Sequence, residues 1–336
     1  MHQFNPAISL VRVFSMLLII ATHYLTWKNI NSYQIATIGV SCFLFISGYL
    51  YGQKKITNSF DWLKRRIFRV LVPFWILSSL LSIYLIIKGE YFFAFCQLIE
   101  TTLNMQGIHS ILRLPFEFGH FHLSGLAHCC FLTVIMLCYL AVLMLKRFQL
   151  EKIVLRSPAV TFLGIVVLHA VLSFINVAIG CFVIFFIGYF YRLLSDTDKL
   201  SIKKITGMTA VMVVAVILRL VLKKMIDGEG IYDLFVASLS SNVCAIWCFV
   251  VIRWLCESKP IFAKVAGHSW WKKVDLITYP LFLTHYMFLK EPFNLTKLHS
   301  LNLFTEFALF VVLSLMCAII LNYIVKMLSF AMNMDK

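Results

Sequence analysis

Apolar positions in this chain do not alternate with polar ones. They gather into long continuous runs separated by short basic connections. A run of roughly 20 apolar residues is the length at which an α-helix crosses the hydrocarbon of a bilayer. Ten runs approach that length, at residues 7–27, 34–51, 67–87, 124–145, 158–174, 177–194, 205–222, 234–256, 276–289 and 303–330. The ninth is short and is expected to be interrupted at Pro280, because proline removes a helical hydrogen bond and crowds the preceding turn. Residues 91–105 are amphipathic and bounded by acids, which predicts an interfacial or re-entrant segment. The pattern therefore predicts an all-α fold, a polytopic membrane helix bundle with about ten transmembrane helices. Residues 1–336 are expected to form a single integral membrane domain with no appended soluble domain. The first run has no short hydrophobic stretch ending at a small-residue cleavage site, so it reads as a permanent span.

Composition strengthens that picture. Apolar residues make up 61% of the chain and charged residues 13%, whereas soluble domains are about half apolar and a quarter charged. The net charge of +15 would suggest nucleic acid in a soluble protein. Here the basic residues sit between apolar runs, so no nucleic-acid partner is expected and the lipid bilayer is. Connections after the second, fourth, sixth and eighth runs, with the adjoining ends of those runs, hold about 19 Lys and Arg, against 8 in the others counted the same way. Loops rich in Lys and Arg stay in the cytoplasm. Both termini are therefore expected there, in a multi-pass protein of the plasma membrane. The cluster at Arg219 runs against the trend. The ten cysteines lie mostly inside apolar runs, with neither a disulfide framework nor a CxxC pair.

Ionisable residues inside a span are costly, and they mark function by default. Arg12 and His23 both lie in the first run. Eleven residues at about 100° each return close to three full turns, so the two project from one helix face about 16 Å apart. Two readings stand beside each other: a functional pair, or an arginine that snorkels to the interface with a histidine closing the far end. Arg65, Arg66 and Arg69 form a basic step at the start of the third run, with Arg66 and Arg69 on one face. A guanidinium binds phosphate through a planar fork, but the same step could anchor topology. His120 and His122 form an HxH with His128 after it, too few ligands for a metal site. His285 follows Pro280 in the ninth run. Broken helices tend to line cavities, although a histidine at an interface would look the same.

Taken together, several segments resemble the acyltransferase family 3 membrane proteins. Arg12-x10-His23 is similar to that family's first-helix signature. Gly39 to Leu50, containing Ser47-Gly48-Tyr49, resembles its FFxxSGF helix. Lys64-Arg65-Arg66-Ile-Phe-Arg69-Val-Leu-Val-Pro73 resembles its (K/R)RxxRxxP stretch. His128-Cys-Cys130-Phe131-Leu132 with Tyr139-Leu140 resembles HLWFL…YL, with cysteine at 130 where tryptophan is usual. Ile277 to His285 resembles SYxLYLxH. The matches keep the family's order from the first run to the ninth.

The resemblance implies an O-acetyltransferase-type enzyme. It would move an acyl group, commonly acetyl, from cytoplasmic acyl-CoA (acetyl-CoA) to a hydroxyl of a surface glycan or lipid-linked sugar. It implies His23 and Arg12 as catalytic residues, Arg65, Arg66 and Arg69 as the site for the phosphates of coenzyme A, and His285 and His128 as further candidates. No metal is expected. A buried imidazole can serve as general base or as a transient acyl carrier, and an arginine can orient the donor or stabilise negative charge. A multi-pass transporter or export component for glycan precursors is the alternative, although the chain shows no internal repeat and few intramembrane acids of the kind that bind coupling ions.

Overall fold

A computed structural model describes residues 5–29, 33–107, 126–175, 177–195, 200–225, 236–290, 292–295 and 302–332. Among them there is no strand. The helices are α1 (Pro6–Trp27), α2 (Tyr33–Tyr49), α3 (Ser59–Ile87), α4 (Tyr91–Thr102), α5 (Cys130–Arg147), α6 (Glu151–Arg156), α7 (Pro158–Ile175), α8 (Val177–Ser195), α9 (Ile202–Met225), α10 (Ser238–Ser258), α11 (Pro260–Gly267), α12 (Ser269–Thr284) and α13 (Leu303–Ala331). Single 3₁₀ turns occupy Ala127–Cys129 and His285–Phe288. Six of the helices, α1, α3, α5, α9, α10 and α13, are long and apolar enough to cross a membrane, and shorter apolar helices cover Ile38–Tyr49, Pro158–His169 and Phe182–Leu194. The protein is a polytopic membrane helix bundle, as the pattern of apolar runs predicts.

Three local readings change. The third helix begins at Ser59 rather than at residue 67, because Asn58 caps it: its Oδ1 accepts from the backbone N–H of Phe60 and Asp61 at 3.0 and 3.1 Å. The basic step is thus helical, and the 29 residues of α3 rise about 43 Å, more than the about 30 Å of hydrocarbon. The ninth helix is not interrupted at Pro280. It begins at Ser269, runs through the buried proline and changes to 3₁₀ only at His285. Arg219 does not belong to a loop. It lies within α9, buried, with Nη1 donating to the hydroxyls of Ser240 and Ser241 on α10 at 3.2 Å each.

The chain divides into two compact units. One comprises Met1–Thr22, Asn31–Lys55 and Ala141–Asp275, the other His23–Ile30, Ile56–Leu140 and Leu276–Lys336. In the first, α2 packs between α8 and α10. A β-carbon at Gly48 would run into the carbonyl of Phe185, and one at Gly188 into the carbonyl of Phe45. Small residues allow this backbone approach between helices in a membrane, where packing rather than water exclusion drives association. Ser41 on α2 also donates to Asn242 Oδ1 on α10 at 2.8 Å. Gly48→Leu is expected to lose at least the about 1–3 kcal/mol typical of overpacking, seen as a lower midpoint of thermal unfolding in detergent. A parental midpoint would show that α2 and α8 can separate freely.

In the second unit, α4 lies along α3 with its polarity inverted. Gln97, Glu100 and Thr101 are buried, whereas Tyr91, Phe92, Phe95 and Ile99 are exposed. The buried side is hydrogen-bonded. Gln97 Nε2 donates to Ser78 O and Ser82 Oγ at 3.1 and 3.0 Å, and Trp75 Nε1 donates to Thr101 O at 3.1 Å. Such a face turned outward suits lipid. Burial raises the Glu100 carboxyl from its ordinary 4.5 to about 7. A carboxyl that binds its proton more tightly in the fold supports folding while protonated, and that support is lost as pH rises from 4.5 through about 7. Detergent-solubilised protein is therefore expected to unfold at a lower temperature near pH 8 than near pH 5, with Glu100→Gln reducing the difference. An undiminished pH dependence in that variant would assign it to other groups.

Candidate active site

In the unit that contains His23, three imidazoles from three elements meet. His23 is carried by α1, His128 by the 3₁₀ turn before α5, and His285 opens the 3₁₀ turn after α12. His23 Nδ1 lies 2.7 Å from His285 Nε2, with the two ring planes 4° apart. The His128 ring is edge-on to His285 at 4.9 Å and to His23 at 6.1 Å between centroids. Tyr286 completes the cluster, its ring 5.3 Å from that of His23 and 4.8 Å from that of His128. His285 has no exposed surface, whereas His23 and His128 are half-buried.

The helix end explains the convergence. The last four carbonyls of an α-helix lack partners within it, and in α12 those belong to residues 281–284. His285 Nδ1 lies 3.1 Å from Leu281 O and 2.9 Å from Phe282 O, and His128 Nε2 lies 2.7 Å from Phe282 O. Two imidazoles thereby cap the end of α12, and Phe282 O receives both. Thr284 Oγ1 secures the same end by donating to Ser314 O of α13 at 3.2 Å.

In the other unit, Arg12 is held by an acid. Its Nη1 lies 3.1 and 3.3 Å from the two carboxylate oxygens of Asp275, near the middle of α12. Neighbouring turns of the same helices are tied by Ser9 Oγ, which donates to Trp271 O at 3.4 Å. The pair is partly exposed, with 31% of the Arg12 side chain and 17% of the Asp275 side chain accessible.

Arg65, Arg66 and Arg69 occupy early turns of α3. The Arg66 guanidinium lies 5.6 Å from the centre of the Trp62 ring. Trp62 is itself buried, edge-on to Tyr139 of α5 at 5.8 Å. Arg69 is exposed and Arg65 half-buried. His120 and His122 lie outside the described residues. Among the described residues no group of His, Cys, Asp and Glu could hold a metal ion. The facing nitrogens of His23 and His285 are at hydrogen-bond distance, which leaves no space for an ion between them.

The structure thus joins His23 to His285 and His128, which sequence spacing could name only singly. It supplies Asp275 and Tyr286, which sequence reasoning missed. Asp275 stands directly before the apolar run at 276–289, in the part of α12 that precedes that run. Tyr286 carries no sequence signal beyond adjacency to His285.

The chain matches no curated protein and no solved structure. The family model described as the acyltransferase domain of type 3 matches residues 5–323.

Proposed function

We propose that this chain, which belongs to acyltransferase family 3, moves an acyl group, acetyl in the simplest case, from cytoplasmic acyl-CoA to a hydroxyl of a surface or lipid-linked carbohydrate. The observation that carries this reading is the imidazole cluster at His23. In the proposed reaction the His23 imidazole takes the proton of the acceptor hydroxyl as its oxygen attacks the thioester carbon. A C–O bond forms, the C–S bond breaks, and the proton passes from the imidazole to the departing thiolate. Coenzyme A carries several phosphate charges, which Arg65, Arg66 and Arg69 are suited to receive through charge-assisted hydrogen bonds. Arg12, fixed by Asp275, is the proposed electrostatic partner of the donor.

The deciding experiment follows labelled acetyl-CoA with purified protein and a carbohydrate acceptor. His23-dependent formation of O-acetylated product supports the reading. Protein that binds no acyl-CoA and moves a glycan precursor across vesicles would replace it with the transporter class. Acyl-CoA entry at Arg65–Arg69 requires those residues, and by the loop charges both termini, to face the cytoplasm of a plasma-membrane protein. Cysteines introduced at the two termini are therefore expected to stay unmodified by a membrane-impermeant reagent in intact cells. A labelled C-terminus would reverse the side from which the donor enters.

A further inference from the structure

The hydrogen-bond distances around His285 dictate where the protons of two histidines sit. A carbonyl oxygen can only accept, so a ring nitrogen within hydrogen-bond distance of one must carry the hydrogen. His285 Nδ1 faces two carbonyls, Leu281 O at 3.1 Å and Phe282 O at 2.9 Å. His285 therefore carries its proton on Nδ1. A second proton, on Nε2, would place a full positive charge on a side chain with no exposed surface, at a cost of several kcal/mol. Nε2 is left with a lone pair, and the atom facing it at 2.7 Å is His23 Nδ1. Two lone pairs cannot approach that closely, so His23 must supply the hydrogen from Nδ1. A neutral imidazole has one N–H, and once Nδ1 holds it, Nε2 is bare.

We infer that His285 is a positioning residue which, anchored on the last-turn carbonyls of α12, locks His23 in the Nδ1–H form and so makes His23 Nε2 the atom that takes the proton. The inference rests on the proposed role of His23 as the base. It deepens that role by naming the reactive nitrogen and the group that selects it. A second ring nitrogen is how active-site histidines are commonly fixed in one tautomer. Here the fixing group is another histidine rather than a carboxylate, and it brings no charge into the site.

The test reads the tautomer directly. Full-length protein with ¹⁵N,¹³C-labelled histidine is reconstituted in lipid and examined by solid-state NMR, with His23 assigned by its loss in His23→Gln. In the parent, His23 is expected to show a protonated Nδ1 and an unprotonated Nε2. In His285→Ala the fraction of His23 protonated on Nε2 should rise severalfold and acyl transfer should fall at least tenfold. His285→Gln can offer an amide oxygen to His23 Nδ1–H and should recover much of both losses. A parent His23 protonated on Nε2, or an unchanged tautomer in a folded His285→Ala protein, would overturn the inference. The parent spectrum decides even if His285→Ala does not fold. If the parent shows the Nδ1–H form while His23→Ala still acylates its acceptor, the hydrogen-bond relay stands and the general-base reading falls.

Discussion

His23→Ala is expected to lower acyl transfer by about 10²–10⁴-fold, the contribution typical of a positioned general base. Expression, membrane insertion and binding of coenzyme A should stay near parental. Imidazole suits this task because it exchanges a proton near neutral pH. His23 is half-buried beside His285, His128 and Tyr286, so an acceptor hydroxyl held there would meet a base in surroundings from which much water is excluded. His23→Gln should not restore transfer, because an amide can hydrogen-bond but cannot take the proton. The measurement is the initial rate of O-acylated product at saturating acyl-CoA, with binding measured separately. A near-parental rate in His23→Ala would make this histidine structural. The base would then be sought at His128, whose Nδ1 has no hydrogen-bond partner among the described residues.

Replacing Arg66 and Arg69 by alanine is expected to weaken binding of coenzyme A strongly. A hydrogen bond to a charged group contributes about 1.5–3 kcal/mol, which corresponds to roughly 10- to 150-fold in affinity for each residue. The two positions are not equivalent. Arg69 is exposed, so its truncation removes charge and little packing. Arg66 lies over the buried Trp62 ring, and Arg66→Ala also removes that contact. Arg66→Lys keeps a cation and a long stem while losing the planar fork, so it separates phosphate recognition from packing. Parental affinity should also fall as salt rises, since exposed charges are screened within about 10 Å at 0.1 M. Double-alanine protein that inserts normally and binds coenzyme A as well as the parent would reduce the arginines to a topology anchor.

Much of the architecture was legible because one constraint dominates it. Helices that meet lipid must be long and apolar, so run length announces them. Departures from the pattern fall where charged residues lie inside helices rather than in loops. Lys64, Arg65 and Arg66 suggested a connection, although Asn58 with Asp61 three residues on is itself a helix-start signal. Lys272 and Lys273 likewise lie in the first turns of α12, ahead of the apolar run, and the same turns carry Asp275, the acid that meets Arg12. Pro280 does not end the helix. The helix carries it, and the change of helix type follows at His285. At the site, helical phase could place Arg12 and His23 on one face of α1. No spacing rule could bring His285 to His23 across 262 positions, because that meeting depends on tertiary packing and on how the end of α12 satisfies its carbonyls.

The inverted polarity of α4 bears on the order in which the protein assembles. A twelve-residue helix rises only about 18 Å, too short to enter the bilayer as an independent span. Its buried side is bonded to α3 through the Ser78 carbonyl, the Ser82 hydroxyl and the Trp75 indole. Until α3 is in place, Gln97 and Thr101 would face hydrocarbon without those bonds, or hold the segment at the water interface. Assembly in two stages follows, with the long helices inserting first and α4 docking afterwards on the face that inserted α3 presents. During that interval Tyr91, Phe92 and Phe95 would rest in the headgroup layer, where aromatic rings are favoured.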